Sequence, residues 1–161
     1  RALSSTSTAT CFPFSEARRT FTGPTSAQAP VVIRYYQRLD LGLAAVATFQ
    51  PVSEGAPGQA HGGAILTVLD EALGAAAWLA GRRVMTVKLT TEFRRAVPLG
   101  ATMLVETRIA SCRHRLVFVE GELIGPDAKL YAAAQGSFLE LSQDAHRRIF
   151  GRPGADRPSS C

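Results

Sequence analysis

Two acids stand side by side in the most apolar stretch of this 161-residue chain. From Ala60 to Ala80, alanine, leucine, isoleucine and valine fill almost every position, and the strongly polar exceptions are Thr67, Asp70 and Glu71. With Gly74 these fall at i, i+3, i+4 and i+7, so a helix through the segment carries them on one face. A carboxylate in an apolar interior is costly unless it gains partners or keeps its proton. Such a group suits proton removal from water or direct attack on an electrophilic carbon. The plainer reading is a solvent-facing polar stripe, or an acid that caps a neighbouring strand. At the head of the same segment stands His61-Gly62-Gly63. Glycines permit close backbone approach, and free N–H groups at a helix start favour negative charge, which suits a developing oxyanion. A glycine-rich turn with a locally bonded histidine would explain the tripeptide as simply.

The spacing of the two features is a geometric constraint. Asp70 follows His61 by nine residues, about 13 Å along an ideal helix and about half a turn round it. One reacting group cannot easily touch both within one straight helix. If both serve one site, they come from different subunits.

The elements that would position these residues follow from pattern. Leu41 to Gln50 reads as a strand closed by Pro51, and Val31 to Leu39 as a short strand or amphipathic turn. The loop before the helix contains the breakers Gly55, Pro57 and Gly58. The helix is apolar on every side, as expected for one enclosed by the fold, and Gly81 supplies its C-terminal cap before Arg82-Arg83. Beyond it, Val84 to Phe93 is β-branched, with Val84, Thr86, Lys88, Thr90 and Glu92 on alternate positions. Thr102 to Ser111, Leu116 to Ile124 and Leu130 to Leu141 follow at short intervals, with Gly125-Pro126-Asp127 as a tight connection. Short connections imply an antiparallel sheet covering one side of the helix, hence an α+β fold, and a helix apolar all round leaves work for a second protomer. Domain boundaries follow: residues 1–30 a flexible extension, 31–141 the folded domain, 142–161 a basic flexible tail that does not pack.

Composition narrows the partners. Hydrophobic residues make up 46% and charged residues 19%, ordinary for a globular protein, and the net charge is +5. An anionic small molecule fits that charge better than nucleic acid, since no finger spacing or Gly-aromatic strand motif is present. Cys11, Cys112 and Cys161 are odd in number and lack C-x-x-C spacing, which fits a reducing compartment and a cytoplasmic location. His61, His114 and His146 show no metal-ligand spacing. No charge-free apolar run reaches the roughly 18 residues of a membrane span, because Asp70 and Glu71 interrupt the nearest one. The Ser/Thr/Ala/Pro-rich first 30 residues also have the composition of a transit peptide, the alternative being an organellar matrix.

The run Glu54-Gly55-Ala56-Pro57-Gly58-Gln59-Ala60-His61-Gly62-Gly63-Ala64, followed by Asp70, resembles the signature of hotdog-fold acyl-CoA thioesterases of the phenylacetate-pathway type. Val84-Met85-Thr86 and Phe93-Arg94-Arg95-Ala96-Val97-Pro98-Leu99 are similar to the long-chain acyl-CoA branch, and the resemblance runs from about Leu41 to Leu141. It implies an antiparallel sheet wrapped round one central helix, assembly into homodimers or homotetramers, and hydrolysis of acyl-CoA to free acid and CoA without a further cofactor or metal. Carried over by position, Asp70 would be general base or nucleophile, and Thr86, otherwise a routine strand threonine, would position water. The Gly62 N–H would hold the carbonyl oxygen, and His61 would shape the loop. Gly63 and Glu71 would lie on the substrate side, with Glu71 as the rival acid. Arg94, Arg95, Arg113 and Arg115 are candidates for the CoA phosphates, a solvated strand edge protected by charge being the plainer reading of each. Many relatives carry Asn six residues before the motif histidine; Gly55 stands there in this chain, as in the long-chain branch. Two other functions stay in view: a non-catalytic acyl-CoA-binding hotdog protein, which could lose the acid, and a hotdog hydratase or dehydratase, which would want an Asp–His pair that this spacing does not obviously supply.

Overall fold

The computed structural model describes residues 22–23, 29–38 and 42–150. One sheet contains strands β1 (Thr22–Gly23), β2 (Val31–Gln37), β3 (Leu43–Phe49), β4 (Val84–Phe93), β5 (Thr102–Arg113), β6 (Leu116–Ile124) and β7 (Leu130–Glu140). Their spatial order is β1-β2-β3-β5-β6-β7-β4, and every pairing is antiparallel except the two-residue β1 on β2. The long helix α1 (Gly62–Leu79) lies against the inner face, giving the expected α+β arrangement of a sheet wrapped round a central helix.

Side-chain size lets the helix settle onto the sheet. The inner face of the central strands carries small residues, Ala45, Ala47, Ala132 and Ala134, all buried. At Gly121 a Cβ would stand 3.6 Å from the Leu73 side chain, ordinary contact distance, so the helix packs directly onto β6 there. Phe49, Met103, Leu123 and Phe138 fill the remaining space. The helix ends as its sequence indicates. Gly81 adopts φ +79°, the Arg82 N–H donates to Ala77 O and the Gly81 N–H to Trp78 O, a Schellman closure.

The structure corrects three expectations. First, α1 is not enclosed on all sides. Its buried residues are Ala64, Ile65, Val68, Leu69, Ala72, Leu73, Ala76 and Ala77, one face only, while Leu66 on the opposite face is 39% exposed. One sheet can cover only one side of a cylinder. Length and composition alone would also let α1 cross a membrane, but half of it packs inside this fold.

Second, β4 does not alternate along its whole length. Thr86 pairs with Phe138 and Lys88 with Ser137, leaving Val87 as the extra residue of a bulge. Val84 and Thr86 turn toward the helix before the bulge. After it Leu89 and Thr91 are half-buried, and Lys88, Thr90 and Glu92 are exposed.

Third, the segment after Leu141 includes packed structure. Residues Gln143–Phe150 form helix α2, and His146 is buried with its ring centroid 6.1 Å from that of Trp78. The expected extension over residues 1–30 and the end of the tail lie largely outside the described residues.

Candidate active site

The polar residues of α1 are sorted by which strand each meets. Asp70 is half-buried, and the Thr86 hydroxyl donates to its Oδ1 at 2.9 Å. The bulge at Val87 follows Thr86 directly, and bulges re-aim side chains in this way. Glu71, one residue on and about 100° round the helix, accepts from the Tyr35 hydroxyl at 2.9 Å. Thr86 is on β4, one end of the sheet order, and Tyr35 on β2, next to the other end. The sheet therefore curls round α1 until its two flanks engage adjacent acids. Tyr35 is buried, and burial first, then the charge and hydrogen bond of Glu71, push its phenol far above the usual tyrosine range.

The strip of α1 between these flanks is open. Gly62, Leu66 and Asp70, at i, i+4 and i+8, form a line along it. At its head, His61 is the N-cap: its own N–H donates to Ser53 O at 2.7 Å, and its Nδ1 accepts from the Gly63 N–H at 2.9 Å. In the neutral ring this places the proton on Nε2. Gly63 thus spends its N–H on His61, whereas the Gly62 N–H has no partner among the described residues. The Thr67 hydroxyl donates back to Gly63 O at 2.9 Å and does not join Asp70.

Glycine is required around the histidine. A Cβ on Gly63 would lie 2.9 Å from His61 Nδ1, and one on Gly55 would lie 2.9 Å from His61 Cα. Gly55, where many hotdog thioesterases have Asn, therefore faces backbone that cannot easily yield. Arg94 and Arg95 follow β4 directly. Both of their N–H groups donate to Tyr131 O; Arg94 pairs with Glu92 at 2.8 Å, and Arg95 Nη1 donates to Leu130 O at 2.7 Å.

The structure thus brings Asp70 and Thr86 together, and groups His61, Gly62 and Gly63 at the helix start. It sets Glu71 against Tyr35 of β2, away from Thr86. Asp70 is eight residues beyond Gly62, about 12 Å along the helix, so within one chain they do not converge. Sequence reasoning missed Tyr35 and Ser53, whose partners lie far away in sequence or on backbone. Among the described residues, no three His, Cys, Asp or Glu side chains gather as metal ligands.

Residues 57–132 match the family model described as the thioesterase superfamily. Residues 57–132 are thus similar to a thioesterase-superfamily domain. Acyl-coenzyme A thioesterase THEM4 of Xenopus laevis is 29% identical to the chain over 108 residues, covering 66% of this chain and 49% of that protein. THEM4 of Bos taurus is 35% identical over 95 residues, covering 58% and 39%. THEM5 of Mus musculus is 31% identical over 99 residues, covering 60% and 40%. The chain thus spans half or less of the length of these curated relatives. Among solved structures, the thioesterase superfamily protein RHA08564 superposes with a TM-score of 0.68 at 28% identity, covering 74% of this chain and 58% of that one. The E. coli PaaI protein from the phenylacetic acid degradation operon gives 0.62 at 16% identity, covering 70% and 80%. The fold that the chain shares with these structures is the hotdog.

Proposed function

We propose that the chain hydrolyses acyl-CoA thioesters to free acid and CoA, as a member of the long-chain branch of the phenylacetate-pathway type, with Asp70 as its catalytic carboxylate. The observation that carries this is the 2.9 Å bond from Thr86 to Asp70 on the open strip of α1. A carboxylate held there by one oxygen keeps the other for water or for the thioester carbon. In the general-base route Asp70 takes a proton from water, the hydroxide oxygen bonds to the carbonyl carbon, and negative charge collects on the carbonyl oxygen. The unpartnered Gly62 N–H meets that charge. The C–S bond then breaks, and the CoA thiolate leaves and takes up a proton. In the covalent route Asp70 itself attacks, and water cleaves the resulting anhydride.

The names of the THEM4 and THEM5 relatives support the acyl-CoA substrate. Gly55 supports the long-chain branch, because the 2.9 Å approach of its Cβ position to His61 leaves no room for Asn. The 12 Å separation of Gly62 and Asp70 supports a homodimer in which each site takes the amide from one chain and the acid from the other. The exposed apolar side chains of edge strand β4, Met85 and Val87, supply a surface for that pairing. Arg94 and Arg95, just past the end of β4, suit the CoA phosphates.

Thiol release from acetyl-, phenylacetyl-, hexanoyl- and palmitoyl-CoA tests the reading. The wild-type chain turns over at least one of these, and Asp70→Asn lowers kcat roughly 10²- to 10⁴-fold, the range for loss of a positioned base. Equal turnover by the variant removes Asp70 from the mechanism. Binding without release points to an acyl-CoA-binding protein.

A further inference from the structure

Phe93 is a large aromatic residue left 53% exposed at the end of β4. Its ring atoms Cζ and Cε1 lie 3.7 and 3.8 Å from where a Gly62 Cβ would be. The ring therefore rests against the first residue of α1, the one with the unpartnered N–H. Thr86, at the other end of the strand, meets Asp70, so β4 runs antiparallel to the line Gly62–Leu66–Asp70. Leu66, itself 39% exposed, comes one turn after Gly62 on that line. Phe93 and Leu66 thus make an apolar rim beside the only unclaimed donor at the helix start among the described residues.

We infer that Phe93 is a specificity-determining residue whose ring packs against the acyl chain of the thioester, next to the carbonyl. The inference rests on the thioesterase reading and adds to it the side of the substrate that each wall receives. A thioester carbonyl bound at the Gly62 N–H sends two arms outward. The CoA arm carries amides and phosphates that need polar partners, and the Phe93–Leu66 rim offers none. The acyl arm is hydrocarbon, and its transfer from water onto an aromatic ring and a leucine is favourable. Immediately after Phe93 come Arg94 and Arg95, whose backbone N–H groups donate to Tyr131 O, and the Arg95 guanidinium donates to Leu130 O on the β7 side of the strand end. The Arg95 charge is thus held by β7, whereas the Phe93 ring lies against the helix start.

The test is the ratio of kcat/KM for hexanoyl-CoA to that for acetyl-CoA, in the wild-type protein, Phe93→Ala and Phe93→Leu. The wild type favours hexanoyl-CoA. Phe93→Ala lowers the ratio roughly tenfold, in the range for removing apolar contact from a substrate pocket, chiefly through KM, and Phe93→Leu recovers part of it. The leucine variant keeps the experiment decisive if the alanine variant does not fold. A fall of equal size on both substrates, with the ratio unchanged, overturns the assignment and leaves the hydrolase reading intact. Absence of hydrolysis of every thioester by the wild type overturns the hydrolase reading and this inference with it.

Discussion

The Asp70 carboxylate differs from an ordinary polar residue on a helix face by one bond. Thr86 commits a hydroxyl hydrogen to Oδ1, which tethers one carboxylate oxygen and leaves the second without a hydrogen-bond partner among the described residues. The hydroxyl is the active part of that contact. Thr86→Ser keeps it and retains most activity. Thr86→Ala loses a hydrogen bond to a charged group, worth about 1.5–3 kcal/mol, and lowers kcat about 10- to 100-fold with little change in KM, as steady-state thiol release would measure. An equal loss in the serine variant would mean that the methyl group, and so packing, is what matters. From the sequence, the apolar helix singles out Asp70 and Glu71 as a pair but does not choose between them, nor between a site and a plain polar stripe. The partner was legible only through family resemblance. Nothing in the run Val84-Met85-Thr86 distinguishes a site threonine from one chosen for β propensity.

Among the elements, helix and strands could be read from periodicity and breakers, and their ends shifted by only a residue or two. What could not be read was anything set by pairing across the sheet. The β4 bulge exists because β7 advances one residue against two at Val87, and neither strand reveals this alone. The Tyr35–Glu71 contact spans 36 residues and exists only because the sheet curls far enough to bring β2 round α1. Helix α2 is short and polar, and its packing depends on His146 reaching Trp78 and on Arg83 approaching the imidazole at 3.5 Å. The Tyr35 clasp has a consequence for stability. Folding raises the phenol above its ordinary value of 10.0, so the folded state holds that proton more tightly than the unfolded chain. The stabilisation is complete below pH 10 and is lost as pH rises beyond it. Tyr35→Phe is therefore less stable than the wild type at pH 7, by about 1–3 kcal/mol, in urea unfolding. That gap narrows progressively above pH 10. A gap independent of alkaline pH would show that the phenol proton is not what the clasp depends on.

For the whole molecule, the question is whether one chain holds a complete site. The Gly62 N–H and the Asp70 carboxylate are separated by about 12 Å of rigid helix, too far for one carbonyl to meet both. A two-fold pairing resolves this, because it sets residue i of one chain against residue j of the other twice over. Each half can be removed cleanly. Asp70→Asn removes the acid with almost no change in volume. Gly62→Pro removes the N–H at the first helical position, where proline is well tolerated. His61 before it already has φ −63° and ψ 137°, the extended conformation that a residue preceding proline prefers. A Cβ at position 62 meets only the Phe93 ring at ordinary contact distance. Each variant alone is expected to be nearly inactive. When the two are unfolded, mixed in equal amounts and refolded, half of the dimers contain one chain of each kind. Each such dimer has one site with both intact groups and one with neither, so activity returns to about a quarter of the wild-type level under two-fold symmetry. Sites confined within single chains would give no recovery, since no chain in the mixture carries both groups.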